Sequence, residues 1–194
     1  MDFYYYGERR SGKTLSTIFL TELIRIQHKK SNTPLKIFTN TDYKYKTNEI
    51  YELLYEENQS KDIHKVVLFD EIDKYIDSRN SMNKVNRLIG YFLSLSGKTN
   101  SDYLITSQIF NAIDKRTQIF MNLIISCKYD LPKNIMKWEI LDTGNGKTMT
   151  KRFKFNFDYF KTLYDSQYLD AYVIKQDLDK FREIAKVYFN VNKV

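Results

Sequence analysis

The stretch that decides the fold is Phe3–Thr14, "FYYYGERRSGKT". Within it, Gly7 to Thr14 fits G-x-x-x-x-G-K-[ST], a loop whose backbone amides cradle phosphate at the start of a helix. The residues before the loop read as a short strand, although tyrosine fills most of it. The residues after it place Leu15, Ile18, Phe19, Leu23 and Ile26 at helical spacing, which predicts a helix over about Lys13–Lys30. Strand, glycine-flanked loop and helix are the context the motif requires. The charged residues between the glycines are compatible with it, because Glu8, Arg9, Arg10 and Ser11 would contribute backbone N–H groups rather than side chains. The phosphate-facing set is therefore Gly7, Glu8, Arg9, Arg10, Ser11, Gly12, Lys13, Thr14 and Leu15. Lys13 would reach the β- and γ-phosphates of ATP, and the Thr14 hydroxyl would hold Mg²⁺.

Downstream, "KVVLFDEID" is an apolar run stopped by acids, as expected of a strand buried on both faces of a parallel sheet. An acid at such a strand end can hold the metal, here Asp70, and its neighbour Glu71 can accept the proton of an attacking water. Asp73 reads as a local cap or pair. "DYLITSQ" is a further strand, and Gln108 at its end would sit near the γ-phosphate to sense it or orient water. "LKIFTN" and "NLIISCKY" are two more strands, "TNEIYELLYEEN" and "NKVNRLIGYFLSLS" read as amphipathic helices, and "NAIDKRTQIF" reads as a turn or short helix. Up to about Asp130, strands and helices alternate, which predicts an open α/β sheet with right-handed crossovers. Beyond Leu131, a β-hairpin around Gly144-Asn145-Gly146 and a helix over "QDLDKFREIAKVYF" look like an appendage. We expect one domain over 1–194, with an α/β core over 1–130 and the appendage over 131–194.

The 194 residues suffice for a hydrophobic core. Cys127 is the only cysteine, so neither an internal disulfide nor a multi-thiolate zinc site can form. His28 and His64 fall in unrelated segments and read as structural. No apolar run approaches the roughly 20 residues of a membrane span, and no signal peptide is evident, so we expect a cytoplasmic protein, free or docked on a virion or membrane. Net charge is +7, and Arg79, Lys84, Arg87 and Lys98 lie between Ser78 and Ser101 with no acid among them. Arg79, Lys84 and Arg87 are candidate contacts for double-stranded DNA, although a solvated helix face would look similar.

Loop, "FDE" and "TSQ" in this order resemble the FtsK–HerA superfamily of P-loop ATPases. The finer resemblance is to Zot-like phage assembly proteins and small viral genome-packaging ATPases, through "FTN", "DEIDKYIDSR", "TSQIFNAIDKR" and "YFKTLYDS", and it spans about Phe3 to Gln167. It implies a RecA-like (ASCE) α/β core using ATP and Mg²⁺, and catalytic residues Lys13, Glu71 and Gln108. It also implies a ring, a hexamer in such relatives, that hydrolyses ATP at subunit interfaces with a basic finger supplied in trans. Many relatives carry arginine before the Gln strand, where this chain has Lys98; Arg87 and Arg116 are the alternatives. The resemblance implies a motor that moves double-stranded DNA into a capsid, docked on a capsid or membrane-associated protein. The alternative is an ATPase that drives virion or protein assembly or export. A nucleotide kinase fits less well, because no arginine-rich lid is evident, and a non-hydrolysing module would leave Glu71 without a purpose.

Overall fold

The computed structural model describes residues 1–76, 84–109, 120–165 and 171–191. Its centre is one sheet in the order β3-β2-β4-β5-β1-β6-β7-β8. The strands are β1 (Asp2–Tyr6), β2 (Leu35–Thr39), β3 (Asn48–Glu49), β4 (His64–Phe69), β5 (Ser101–Ser107), β6 (Leu123–Asp130), β7 (Ile135–Asp142) and β8 (Thr148–Lys154). Pairings from β3 across to β6 are parallel, whereas β7 and β8 return antiparallel. The predicted hairpin therefore extends the main sheet. Gly146, at φ 69°, supplies the left-handed residue of its turn.

The tyrosine strand is explained by its position. β1 lies between β5 and β6, so side chains on both of its faces are buried. Tyr4 joins the core cluster formed with Phe38, Phe69, Leu88, Phe92 and Tyr103, whereas Tyr5 joins Leu15, Ile18, Val66, Leu104 and Trp138 on the other face. The Tyr4 hydroxyl donates to Ile109 O at 2.9 Å, and that of Tyr103 to Phe92 O at 3.0 Å, so these two rings are buried with their polar ends paired, whereas the buried Tyr5 hydroxyl has no protein partner. Helix α1 (Lys13–Ser31) covers the Tyr5 face. Helices α2 (Lys84–Ser94) and α4 (Ala171–Val191) cover the Tyr4 face, and a short helix α3 (Phe157–Lys161) packs Phe160 beside Phe19.

Two expectations are corrected. Leu23 and Ile26 of α1 are 48% and 38% exposed, because the buried stripe runs instead through Thr17, Thr21 and Glu22. These polar groups are buried with partners: Thr21 donates to Thr17 O at 2.8 Å, and Glu22 accepts from Arg25 at 2.8 and 2.9 Å and from the Tyr43 hydroxyl. The second correction concerns "TNEIYELLYEEN", which forms β3 and two 3-10 turns, Ile50–Leu54 and Glu56–Asn58, rather than an α-helix. Its buried apolar residues, Ile50 and Leu53, are spaced by three, the 3-10 repeat, and the Asn58 amide donates to Glu52 O at 2.9 Å to close the segment. The "NAIDKRTQIF" reading lies mostly outside the described residues, and no helix among those described is long and apolar enough to cross a membrane.

Candidate nucleotide site

The first parallel strands put their C-terminal ends on one edge of the sheet, and the candidate residues converge there. Gly7–Gly12 curls from β1 into α1, with Gly12 left-handed at φ 85° as the residue preceding the helix. Crowding explains both glycines. A Cβ on Gly7 would meet Cys127 O of β6 at 2.9 Å, and one on Gly12 would collide with Met136 of β7. Lys13 is buried and donates to Gly7 O and Glu8 O, both at 2.9 Å, so its ammonium lies inside the curl of the loop. Burial lowers its pKa, opposed by the nearby Asp70 and Glu71. The Ser11 hydroxyl is buried in the same loop with no protein partner.

Asp70 directly follows β4, two strands from the loop, with β5 between them. The Thr14 hydroxyl nonetheless reaches its carboxylate, 2.9 Å from Oδ1 and 3.1 Å from Oδ2. Thr106 of β5 donates to Oδ1 at 2.6 Å and accepts the Glu71 amide at 2.8 Å, so one hydroxyl orients both acids. Asn40, just beyond β2, exchanges a reciprocal pair of bonds with the Asp70 backbone, both at 2.9 Å. Burial raises the Asp70 pKa, while Thr106 and Thr14 offset part of that. A hydroxyl and a carboxylate are hard oxygen donors, the chemistry Mg²⁺ prefers.

Glu71 adopts the left-handed region, φ 49° and ψ 50°, uncommon for a non-glycine residue. The turn is held by Lys74 N donating to Glu71 O at 2.9 Å. Its carboxylate accepts from Gln108 Nε2 at 2.7 Å and pairs with the Lys74 ammonium. Burial works against ionisation, but Lys74 and Gln108 outweigh it and hold the carboxyl below its ordinary value. Asp73 accepts the Gln108 backbone N–H at 3.2 Å, a bond to a distant strand end rather than the local cap or pair expected of it.

The fold is that of a P-loop ATPase. The chain is similar to the N-terminal domain of the zonular occludens toxin from Neisseria meningitidis, with a TM-score of 0.59 and 12% identity, covering 84% of this chain and 98% of that one. It is also similar to the genome packaging NTPase B204 of Sulfolobus turreted icosahedral virus 2, solved with ATP-gammaS: TM-score 0.56, 11% identity, 79% of this chain and 98% of that one. A third likeness is to the cytoplasmic domain of the Thermomonospora curvata Type VII secretion ATPase EccC, with a TM-score of 0.53 and 10% identity. It covers 80% of this chain but 24% of that one. No protein-family model matches the chain, and no curated protein does so at a significant level.

Lys13, Thr14, Asp70, Glu71 and Gln108 of the P-loop fold thus share one edge, while Glu8, Arg9 and Arg10 of the loop are exposed. Lys84 and Arg87 are exposed on α2, and Lys98 is exposed in the turn before β5, at the opposite edge from the loop. Lys98 is therefore remote from the loop of its own chain. Arg79 and Arg116 lie outside the described residues. Three contacts were missed by sequence reasoning: Thr106, Asn40 and Lys74. The "FTN" and "TSQ" motifs contain the first two, but their bonds to Asp70 arise from strand register, which no spacing in the sequence displays.

Cys127 lies behind the loop, its Sγ 3.6 Å from Ser16 Oγ, and burial pushes its thiol up to about 12. That is a packed, unreactive cysteine. His28 and His64, distant in sequence, are neighbours: Nε2 and Nδ1 are 2.8 Å apart, and His64 Nε2 lies 3.2 Å from Asp102 Oδ2. This cluster ties α1 to β4 and β5, the structural role expected of each residue.

Proposed function

We propose that the protein is an ATP-hydrolysing motor that translocates double-stranded DNA, of the kind that packages viral genomes. The observation that carries the reading is the convergence of the loop, the acidic pair and Gln108, with Thr14 and Gln108 hydrogen-bonded to Asp70 and Glu71. In this reading the whole chain, 1–194, is one ATPase domain. The amides of Gly7–Thr14 and the Lys13 ammonium hold the triphosphate, and Thr14 and Asp70 hold Mg²⁺. Bound there, Mg²⁺ would neutralise charge building on the phosphate oxygens. Glu71 takes the proton of the attacking water, and Gln108, already bonded to it, responds to the γ-phosphate. Subunits form a ring, a hexamer by resemblance, in which Lys98, Arg87 or Arg116 of one copy completes the site of the next. Exposed Glu8, Arg9 and Arg10 would lie towards that neighbour.

The similar structures, a genome packaging NTPase and a secretion ATPase among them, support both a packaging and an assembly or export reading, and one experiment divides them. Duplex DNA should raise the ATPase rate at low salt, with the gain fading as salt rises. No stimulation by any DNA at any salt would favour the assembly ATPase.

A further inference from the structure

The register of β6, β7 and β8 brings together charges that are scattered in the sequence. Lys128 of β6 stands directly opposite Lys137 of β7, which stands directly opposite Arg152 of β8. Opposed residues point to the same face of a sheet, so three cations form a row across three strands. Lys128 and Arg152 are exposed and Lys137 is partly so; exposed Lys154 continues the same face two residues further along β8. Glu139 pairs with Lys137 at 2.5 Å and also interacts with the charge of Lys128, but among the described residues no carboxylate is paired with Arg152 or Lys154. Like charges placed directly opposite destabilise a sheet, so the row is a local cost to the fold. An anionic partner would offset it.

We propose that this face of β6–β8 contacts the phosphate backbone of duplex DNA. The proposal rests on the motor reading above and names a surface for its cargo. With strands about 4.8 Å apart, the row spans about 10 Å, a length over which one DNA strand presents about three phosphates. Cations on a rigid sheet address phosphates without reading bases, as a motor moving any sequence requires.

The position of the row also links it to the nucleotide loop. The neighbouring cross-strand pair, Tyr129 and Met136, faces the other way, and both residues pack against Gly12. Successive residues along β6 and along β7 thus carry a loop contact on one face and a cation on the other.

The test is duplex binding measured by fluorescence anisotropy from low to moderate salt. The triple variant Lys128→Gln, Lys137→Gln, Arg152→Gln is compared with a control, Lys29→Gln, Lys30→Gln, Lys61→Gln, which removes equal charge from other exposed sites. Each lost phosphate contact should reduce the slope of log affinity against log salt by about 0.9, so the row variant should lose up to about 2.7. At low salt its affinity should fall at least tenfold, with the control near wild type and the DNA-free ATPase rate of both unchanged. Wild-type affinity and slope in the row variant would overturn the surface and leave the motor reading standing. Equal losses in both triple variants would overturn it as a general charge effect. A wild-type protein that binds no duplex would overturn surface and reading together. Row-dependent binding of polyglutamate but not DNA would replace the proposal with an acidic protein partner.

Discussion

The Gln108 amide donates to Oε1 of Glu71 at 2.7 Å while Lys74 pairs with Oε2, so both oxygens of the candidate base are engaged. Each oxygen keeps a second lone pair with which to accept a proton from water. Glu71→Gln should therefore bind ATP within a few-fold of wild type yet lose about 10²–10⁴ in single-turnover hydrolysis. If Gln108 acts through Glu71, Gln108→Ala should lower kcat by at least about tenfold, and the double variant should be no slower than Glu71→Gln alone. Additive losses would separate the two residues.

Lys13 and Thr14 divide binding between phosphate and metal. Lys13→Ala should abolish turnover and weaken ATP binding by at least about tenfold. Thr14→Ala removes the hydroxyl that meets both Asp70 oxygens, so Mg²⁺ should no longer strengthen binding of a fluorescent ATP analogue. A variant that keeps the full Mg²⁺ effect would remove Thr14 from the metal site.

Gly12 is where loop and hairpin meet. Gly12→Ala forces a side chain onto φ 85° and into Met136, and should cost about 1–3 kcal/mol, read as a lower midpoint in chemical denaturation. Met136 is fully buried, so Met136→Ala has a cost of its own; measured against that background, the Gly12→Ala penalty should shrink but not vanish, because the collision goes and the backbone strain stays. A penalty that disappears in that background would show that the dihedral carries little strain.

These sites differ in how far the sequence revealed them. The loop, the strand ending at Asp70 and the strand ending at Gln108 are local patterns, and each appears where its spacing places it. The helix through Leu23 and Ile26 was legible as a helix but not as to its buried face. There, polar Thr17, Thr21 and Glu22 are buried because they satisfy their own hydrogen bonds, which hydropathy alone cannot anticipate. The contacts of Thr106 and Asn40 with Asp70, the meeting of His28 and His64, and the Lys128–Lys137–Arg152 row depend on which strands lie side by side. Pairing of that kind is a property of topology, and a single chain read in order does not display it.

Asp177 of α4 carries the last prediction. It is 5% exposed and accepts the Tyr75 hydroxyl at 2.8 Å; Tyr75 in turn accepts from Asn40 at 3.1 Å, the residue that binds the Asp70 backbone. Burial lifts the Asp177 carboxyl from 3.8 to about 6; Tyr75 and Lys46 favour its ionised form, and Glu49 disfavours it. Between those values the folded protein binds more protons than the unfolded chain, so this group's contribution to stability falls as pH rises through the window. Asn keeps an oxygen to accept the Tyr75 bond but never ionises. Asp177→Asn should therefore match wild type at about pH 4 and exceed it by about 1–3 kcal/mol at pH 7, as read by denaturant titration at each pH. A variant less stable than wild type at pH 7 would mean that the Asp177 charge stabilises the packing of α4 on the sheet.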